Sequence, residues 1–516
     1  MKFLKFITSR FFALAIILIL QIILLVAFAV LASLSDLFGY YYLFVALILN
    51  AFALIFILNS KANTSYKLSW MLIVAVIPGI GLLFYILYAN KRDTKRQRAK
   101  LKPYTEALKK YNANAADMLL NIKKQDEIAY LHSNYIYNKN FTKPYDNTYT
   151  KYFRIGEHAW PALLYELRNA KHFIFIEFYI IKMGKFWDSI LEILKEKVKQ
   201  GVEVRLLYDD FGSMSKVPYN YYKKLRKFGI NAVLFQKYKP FINIKMNNRD
   251  HRKIIIIDGH TAFTGGLNLA DEYVNIDSKF GEWKDNMIML KGEGTYGLTV
   301  LFLSMWDNYL HEKTDFSKYT FHKYEHEFMF PATPKGFVQP YGDIPFDYES
   351  VGANVYLNLI MRAKKYVYIS TPYLILDDTF VSMLRLAAKS GVEIKIILPG
   401  VPDKKTVYNL TNLYAYELST FGVKIYYYQP GFNHMKTMLV DDKYATVGTI
   451  NLDLRSFHLN YENAIFLNGS NAIEEIKFDF QEMLKKCKKA KDPKKIKVTF
   501  FKKLYWALLK CFAPMF

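Results

Sequence analysis

The stretch HRKIIIIDGHTAFTGGLN, from His251 to Asn268, returns as HMKTMLVDDKYATVGTIN, from His434 to Asn451. In both copies a His is followed by a Lys two residues on, an Asp seven on, a Gly fourteen on and an Asn seventeen on. The offset does not drift (434−251 = 451−268 = 183). A repeat in fixed register constrains the fold more than any other feature, because it demands two copies of one structural unit. IIII and TMLV are short apolar runs, and Asp258-Gly259 and Asp441-Asp442 are turn signals, so each copy predicts strand, turn and strand. Strand residues two apart share a face, which sets His251 beside Lys253 and His434 beside Lys436.

The echo extends beyond these motifs. FIFIEFY after Lys171 recurs as YVYISTPY after Lys364, and Gly201-Val202-Glu203 entering VRLLYDD recurs as Gly391-Val392-Glu393 entering IKIILPG. KDNMIMLKG from Lys284 recurs as YENAIFLNG from Tyr461. Strands alternating with helical patterns predict an α/β fold of two pseudo-symmetric lobes, with helices on both faces of mixed sheets. We place the first lobe at 149–330 and the second at 331–484.

A neutral imidazole can attack phosphorus, and a neighbouring ammonium can neutralise the phosphate oxygens as charge shifts. One His-Lys pair is as readily the wet end of a buried strand; two in register point to paired half-sites at one phosphodiester. Asp285 and Glu462 are equivalent under the repeat. Each is expected to accept the Nδ1–H of its own lobe's histidine and leave Nε2 free. The lysines supply the positive charge, so neither metal nor cofactor is expected, and two cysteines, Cys487 and Cys511, support no Cys-based metal site.

The net charge of +24 would suit nucleic acid, but its distribution argues for lipid. Residues 1–10 (+3), 91–102 (+6) and 485–510 (+10) carry most of it, each beside a hydrophobic stretch, as basic residues at an anionic membrane surface do. The runs 11–34 and 37–58 are long enough to cross a bilayer. A third, 70–88, holds Pro78-Gly79-Ile80-Gly81 at its centre, and the positive-inside rule predicts a re-entrant or kinked interfacial segment rather than a third crossing. We therefore expect a membrane anchor over 1–102 and a helical connector over 103–148. The basic, aromatic tail 485–516 is expected to lie at the lipid interface.

H-x-K-x4-D-x6-G-x2-N twice in one chain resembles the phospholipase D superfamily. The match covers about residues 150–480. The resemblance implies that both His-Lys pairs meet at one phosphate, that Asn268 and Asn451 help to hold it, and that Asp258 and Asp441, members of the motif, are more structural than chemical. The leader, with Trp70, Pro78, Gly81 and Tyr85, and the wording NLDLRSFHLNYEN from Asn451 are similar to bacterial cardiolipin synthases. That similarity implies a multi-pass protein of the bacterial cell membrane with its catalytic part on the cytoplasmic side. The implied reaction joins two phosphatidylglycerol molecules through a phosphatidyl-histidine, releasing glycerol, and family precedent favours His251 as nucleophile. The competing readings are a membrane phospholipase D that uses water, a nuclease, and a non-catalytic scaffold. The intact His and Lys residues weigh against the scaffold.

Overall fold

The computed structural model describes residues 30, 36–60, 64–76, 80–88, 95–111, 115–237, 248–345, 349–495 and 499–513. Two compact units result, one from residues 1–92, 238–247 and 507–516, the other from 93–237 and 248–506.

In the first unit, α1 (Asp36–Asn59), α2 (Thr64–Val76) and α3 (Ile80–Tyr88) pack together. Their shared core is Ala53, Ile57, Trp70, Val74 and Tyr85. Gly81 lies so close to the backbone of Ile73 and Val74 that a Cβ there would collide with it. Phe44, Phe52 and Phe56 of α1 stay exposed. Among the described residues no helix is long and apolar enough to cross a membrane. The run 11–34 lies almost wholly outside the described residues. The run 70–88 is divided between α2 and α3, of 13 and 9 residues, with 77–79 outside the described residues.

The second unit begins with helices Lys95–Tyr111, Ala116–Gln125 and Glu127–Asn140, and then builds two sheets. The strands of the first half are β1 (Thr148–Phe153), β2 (Phe173–Phe178), β3 (Glu203–Asp209), β4 (Asn231–Phe235), β5 (Arg249–Asp250), β6 (Lys253–Ile257), β7 (Thr261–Gly265), β8 (Glu282–Lys284) and β9 (Met287–Gly292). Those of the second are β10 (Phe337–Asp343), β11 (Tyr366–Ser370), β12 (Leu374–Ile375), β13 (Glu393–Pro399), β14 (Lys424–Tyr428), β15 (Gly431–Asn433), β16 (Thr437–Val440), β17 (Tyr444–Gly448), β18 (Leu452–Asp453), β19 (Asn460–Asn468) and β20 (Cys487–Lys489).

The first sheet runs β1-β9-β7-β6-β2-β3-β4 and the second β10-β19-β17-β16-β11-β13-β14, with β20 added at its edge. Strand for strand the order is the same, so the sequence repeat is a repeat of topology. In both sheets the parallel pairs β2/β3/β4 and β11/β13/β14 follow helical crossovers, and the motif strands join antiparallel. After Lys253 the strand β6 is a run of four isoleucines, because both of its faces are covered. Helix Thr295–Leu310 is buried over most of its length, and its Leu298, Leu301 and Phe302 share one core with Ile254 and Ile256 of the first lobe and Leu439 and Ile465 of the second.

The two lobes also exchange strands. Short β5 joins β19, with Asp250 opposite Tyr461, and short β15 joins β8, with Asn433 opposite Lys284. These contacts are images of each other under the repeat, which is the signature of a pseudo-two-fold axis between the lobes.

Candidate active site

The exchanged strands bring the site together. His251 N–H donates to the carbonyl of Tyr461 at 2.9 Å, and His434 N–H donates to that of Lys284 at 2.7 Å. The next residue on each accepting strand is a carboxylate, Glu462 or Asp285. His251 Nδ1 lies 2.9 Å from both carboxylate oxygens of Glu462, and His434 Nδ1 lies 2.6 Å from Asp285 Oδ2. The pairing within each lobe expected from the sequence is therefore wrong: each histidine is held by the carboxylate of the opposite lobe. The reason is the strand exchange, which docks the backbone of one motif onto the strand that carries the other lobe's carboxylate.

All six groups are buried. Lys253 Nζ donates to the carbonyl of His251 at 2.7 Å, and Lys436 Nζ donates to that of His434. Lys436 Nζ also lies 2.8 Å from His434 Nδ1. One ring nitrogen cannot donate to Asp285 and accept from Lys436 together, so the ionised carboxylate takes the Nδ1–H and the lysine keeps the carbonyl. Both Nε2 atoms are thereby left as lone-pair bearers.

Burial pushes both imidazoles well below the ordinary histidine value, and each is pushed further down by both lysines. His434 also feels His251 directly, so the two half-sites share one electrostatic neighbourhood. Burial brings Lys253 down to about 8 and Lys436 to about 7, while it lifts Asp285 and Glu462 to about 7 against the pull of the same lysines. The paired form of the site has ionised carboxylates and protonated lysines. As pH falls below about 7 the carboxyls gain protons, and as it rises past 7 to 8 the lysines lose theirs. A pH series of kcat/KM should accordingly be bell-shaped with its maximum near pH 7. A flat profile from pH 5 to 9 would contradict this assignment.

Further groups hold the carboxylates. Thr449 Oγ1 and Asn460 Nδ2 donate to Glu462, while a Cβ on Gly266 would strike the carboxylate of Asp285. Asn463 Nδ2 donates to Thr264 at 2.8 Å, and Asn286 Nδ2 donates to Thr437 at 2.6 Å, so each ties one lobe to the other's motif strand. Sequence reasoning passed over both, although the echo of Asp285-Asn286 in Glu462-Asn463 was its signal. Tyr179 sets its edge on His251 at 5.1 Å; Tyr273 and Trp283 flank His434 at 5.4 and 5.5 Å.

Asn268 Oδ1 accepts from Ile180 N–H and its Nδ2 donates to Tyr273 Oη at 2.6 Å, so it reaches His434 through that ring. Asn451 is buried, and its Oδ1 has no hydrogen-bond partner among the described residues. Asp258 and Asp441, the carboxylates of the motif, do not join the site. They sit in the left-handed turns (φ 50° and 54°) at the far ends of β6 and β16. Asp258 accepts the backbone N–H groups of Lys171, His172 and Phe173 at 2.7–2.8 Å, and Asp441 those of Lys364, Lys365 and Tyr366. Asp258→Asn should cost about 2–4 kcal/mol of stability, since charge-assisted bonds to three backbone amides are weakened or lost. A thermal melt measures this, with the folded fraction keeping its specific activity. A tenfold loss of activity at unchanged Tm would return Asp258 to the chemistry.

A family model described as "Cardiolipin synthase, PLD-like domain" matches residues 163–302 and 356–484, and one described as "Phospholipase_D-nuclease N-terminal" matches 48–88. A protein of Halalkalibacterium halodurans named "Cardiolipin synthase" is 33% identical over 435 residues, covering 83% of this chain and 84% of that one. "Cardiolipin synthase 2" of Bacillus anthracis is 34% identical over 426 residues, covering 82% and 81%. Among solved structures, phosphatidylserine synthase from Haemophilus influenzae superposes with a TM-score of 0.51 at 15% identity, covering 71% of this chain and 93% of its own, a likeness of fold.

Proposed function

The chain belongs to the cardiolipin synthase family of the phospholipase D superfamily, and we propose on that footing that His251, Lys253, His434 and Lys436 transfer a phosphatidyl group between two phosphatidylglycerol molecules. The enzyme is a phosphatidyltransferase and its product is cardiolipin. The observation that carries the residue assignment is the crossed arrangement in which two imidazoles, each with its Nδ1 held by a carboxylate, share two buried ammonium groups.

The phosphodiester anion enters between Lys253 and Lys436. Its charge offsets theirs and restores one imidazolium in a site whose empty histidines are neutral. The neutral histidine attacks phosphorus through Nε2. The P–O bond to the headgroup breaks, and the imidazolium gives its proton to the departing glycerol oxygen. A phosphatidyl-histidine and free glycerol result. The second imidazole, now neutral, takes the proton from the terminal hydroxyl of another phosphatidylglycerol. That oxygen attacks phosphorus, the P–N bond breaks, and cardiolipin leaves with both histidines as they began. The lysines hold the phosphate oxygens throughout, and Asn451 and Asn268 assist them.

We place the reaction at a bilayer of the bacterial cell membrane. Exposed Phe44, Phe52 and Phe56 on α1 support this, as does the helix Phe500–Phe512, which exposes Phe500, Phe501, Leu504 and Leu508 among Lys502, Lys503 and Lys510. Purified protein given phosphatidylglycerol alone should release cardiolipin and glycerol in equal amounts. Phosphatidic acid without cardiolipin would make it a hydrolase instead.

A further inference from the structure

The repeat is broken beside the histidines. The first lobe reads Arg249-x-His251-x-Lys253, and the second reads Phe432-x-His434-x-Lys436. Residues two apart along an extended strand share a face, so Arg249 stands on the edge that presents His251 and Lys253. The ring of Phe432 lies 5.8 Å from that of His434, which marks the equivalent position as a wall of the site.

Arg249 is buried, with its side chain 3% exposed. Its guanidinium lies over Phe211 at 4.6 Å, and its Nη1 is 3.9 Å from Asp209 Oδ1, too far for a hydrogen bond. Asp209 already accepts from the N–H groups of Gly212 and Asp250 at 2.9 and 3.2 Å. Nε and Nη1 of Arg249 therefore have no acceptor among the described residues. Opposite Arg249 in the β5–β19 ladder stands Asn460, which donates to Glu462 and whose own Oδ1 has no partner among the described residues. Unused donors on a buried cation beside an unused amide acceptor describe a receptor for an anion bearing a hydroxyl.

We propose that Arg249 binds the phosphate of the acceptor phosphatidylglycerol, the lipid whose hydroxyl resolves the phosphoenzyme, with Asn460 Oδ1 receiving one of its glycerol hydroxyls. This rests on the transferase reading above. The reaction brings a second lipid phosphate into a cleft whose two lysines are already committed to the first, and a glycerol backbone sets that phosphate a short way from the reacting oxygen. Free glycerol carries no phosphate, and neither does the departing headgroup. Arg249 should thus separate the lipid acceptor from small neutral alcohols and from water.

Full-length protein in phosphatidylglycerol vesicles with labelled glycerol reports both acceptors at once. Label entering phosphatidylglycerol measures return of the phosphatidyl group to glycerol; cardiolipin measures transfer to lipid. Removing Arg249 alone would strand Asp209, so the variant is Asp209→Asn with Arg249→Gln, with Arg249→Lys as the conservative partner. The double variant should lose roughly 10- to 100-fold in cardiolipin formation, the worth of a charge-assisted hydrogen bond, while glycerol exchange stays within about twofold. Arg249→Lys should fall between it and the natural enzyme. Equal loss of both products would overturn the proposal and leave Arg249 a support of the fold, as would equal retention of both. Failure of the unmodified protein to make cardiolipin while glycerol still exchanges would instead overturn the transferase reading beneath it.

Discussion

Replacing His251 or His434 by Ala should lower cardiolipin formation by at least about 10³-fold, because one change removes the nucleophile and the other the proton carrier, and neither half-reaction proceeds without both. The double variant should be no worse than either single one, as expected of groups that act as a unit. Both imidazoles are buried in one electrostatic neighbourhood. Quantified lipid product per folded enzyme checks this. Appreciable turnover by both single variants would refute a scheme with two histidines.

The next largest effect is expected from the carboxylates. Glu462→Gln and Asp285→Asn preserve shape but offer an amide where His251 or His434 needs an acceptor, which permits the wrong tautomer. In a Ser-His-Asp triad the corresponding change costs about 10⁴ in rate. Here a loss of roughly 10²- to 10⁴-fold is expected for each. Thr449 and Asn460 grip Glu462 from two sides, so its amide variant should keep its position and lose only the tautomer control. Steady-state turnover together with an unchanged melting temperature would separate this from a fault in folding.

Much of this was legible in the sequence because the chain says the important things twice. The fixed register of His251, Lys253 and Gly265 against His434, Lys436 and Gly448 announced two equal units, and the common strand order follows from it. The identity of the carboxylates was legible for the same reason. Their partners were not. A linear repeat is the same whether Glu462 serves His434 or His251, and only the exchange of β5 and β15 between sheets decides the matter. The place of Asp258 was legible from its turn but not its three backbone partners, which lie at the entry to β2 more than eighty residues earlier. Arg249 escaped notice because it breaks the repeat, and a search for symmetry discards what is unmatched. The expected crossing helices rested on apolar length and on the basic residues beside it. Within 70–88, Gly81 closes on the backbone of Ile73 and Val74, an approach that no hydropathy pattern reports.

The crossed site can be tested with a phosphatidyl ester of a nitrophenol, a leaving group that departs without a proton. An enzyme lacking its acid should still release one equivalent of nitrophenolate and stop as the phosphoenzyme; an enzyme lacking its nucleophile should release none. The assay thus identifies which histidine attacks, whichever it proves to be. Glu462→Gln should then share the behaviour of His251→Ala, and Asp285→Asn that of His434→Ala. If each carboxylate variant instead follows the histidine of its own lobe, the composite site described here is wrong.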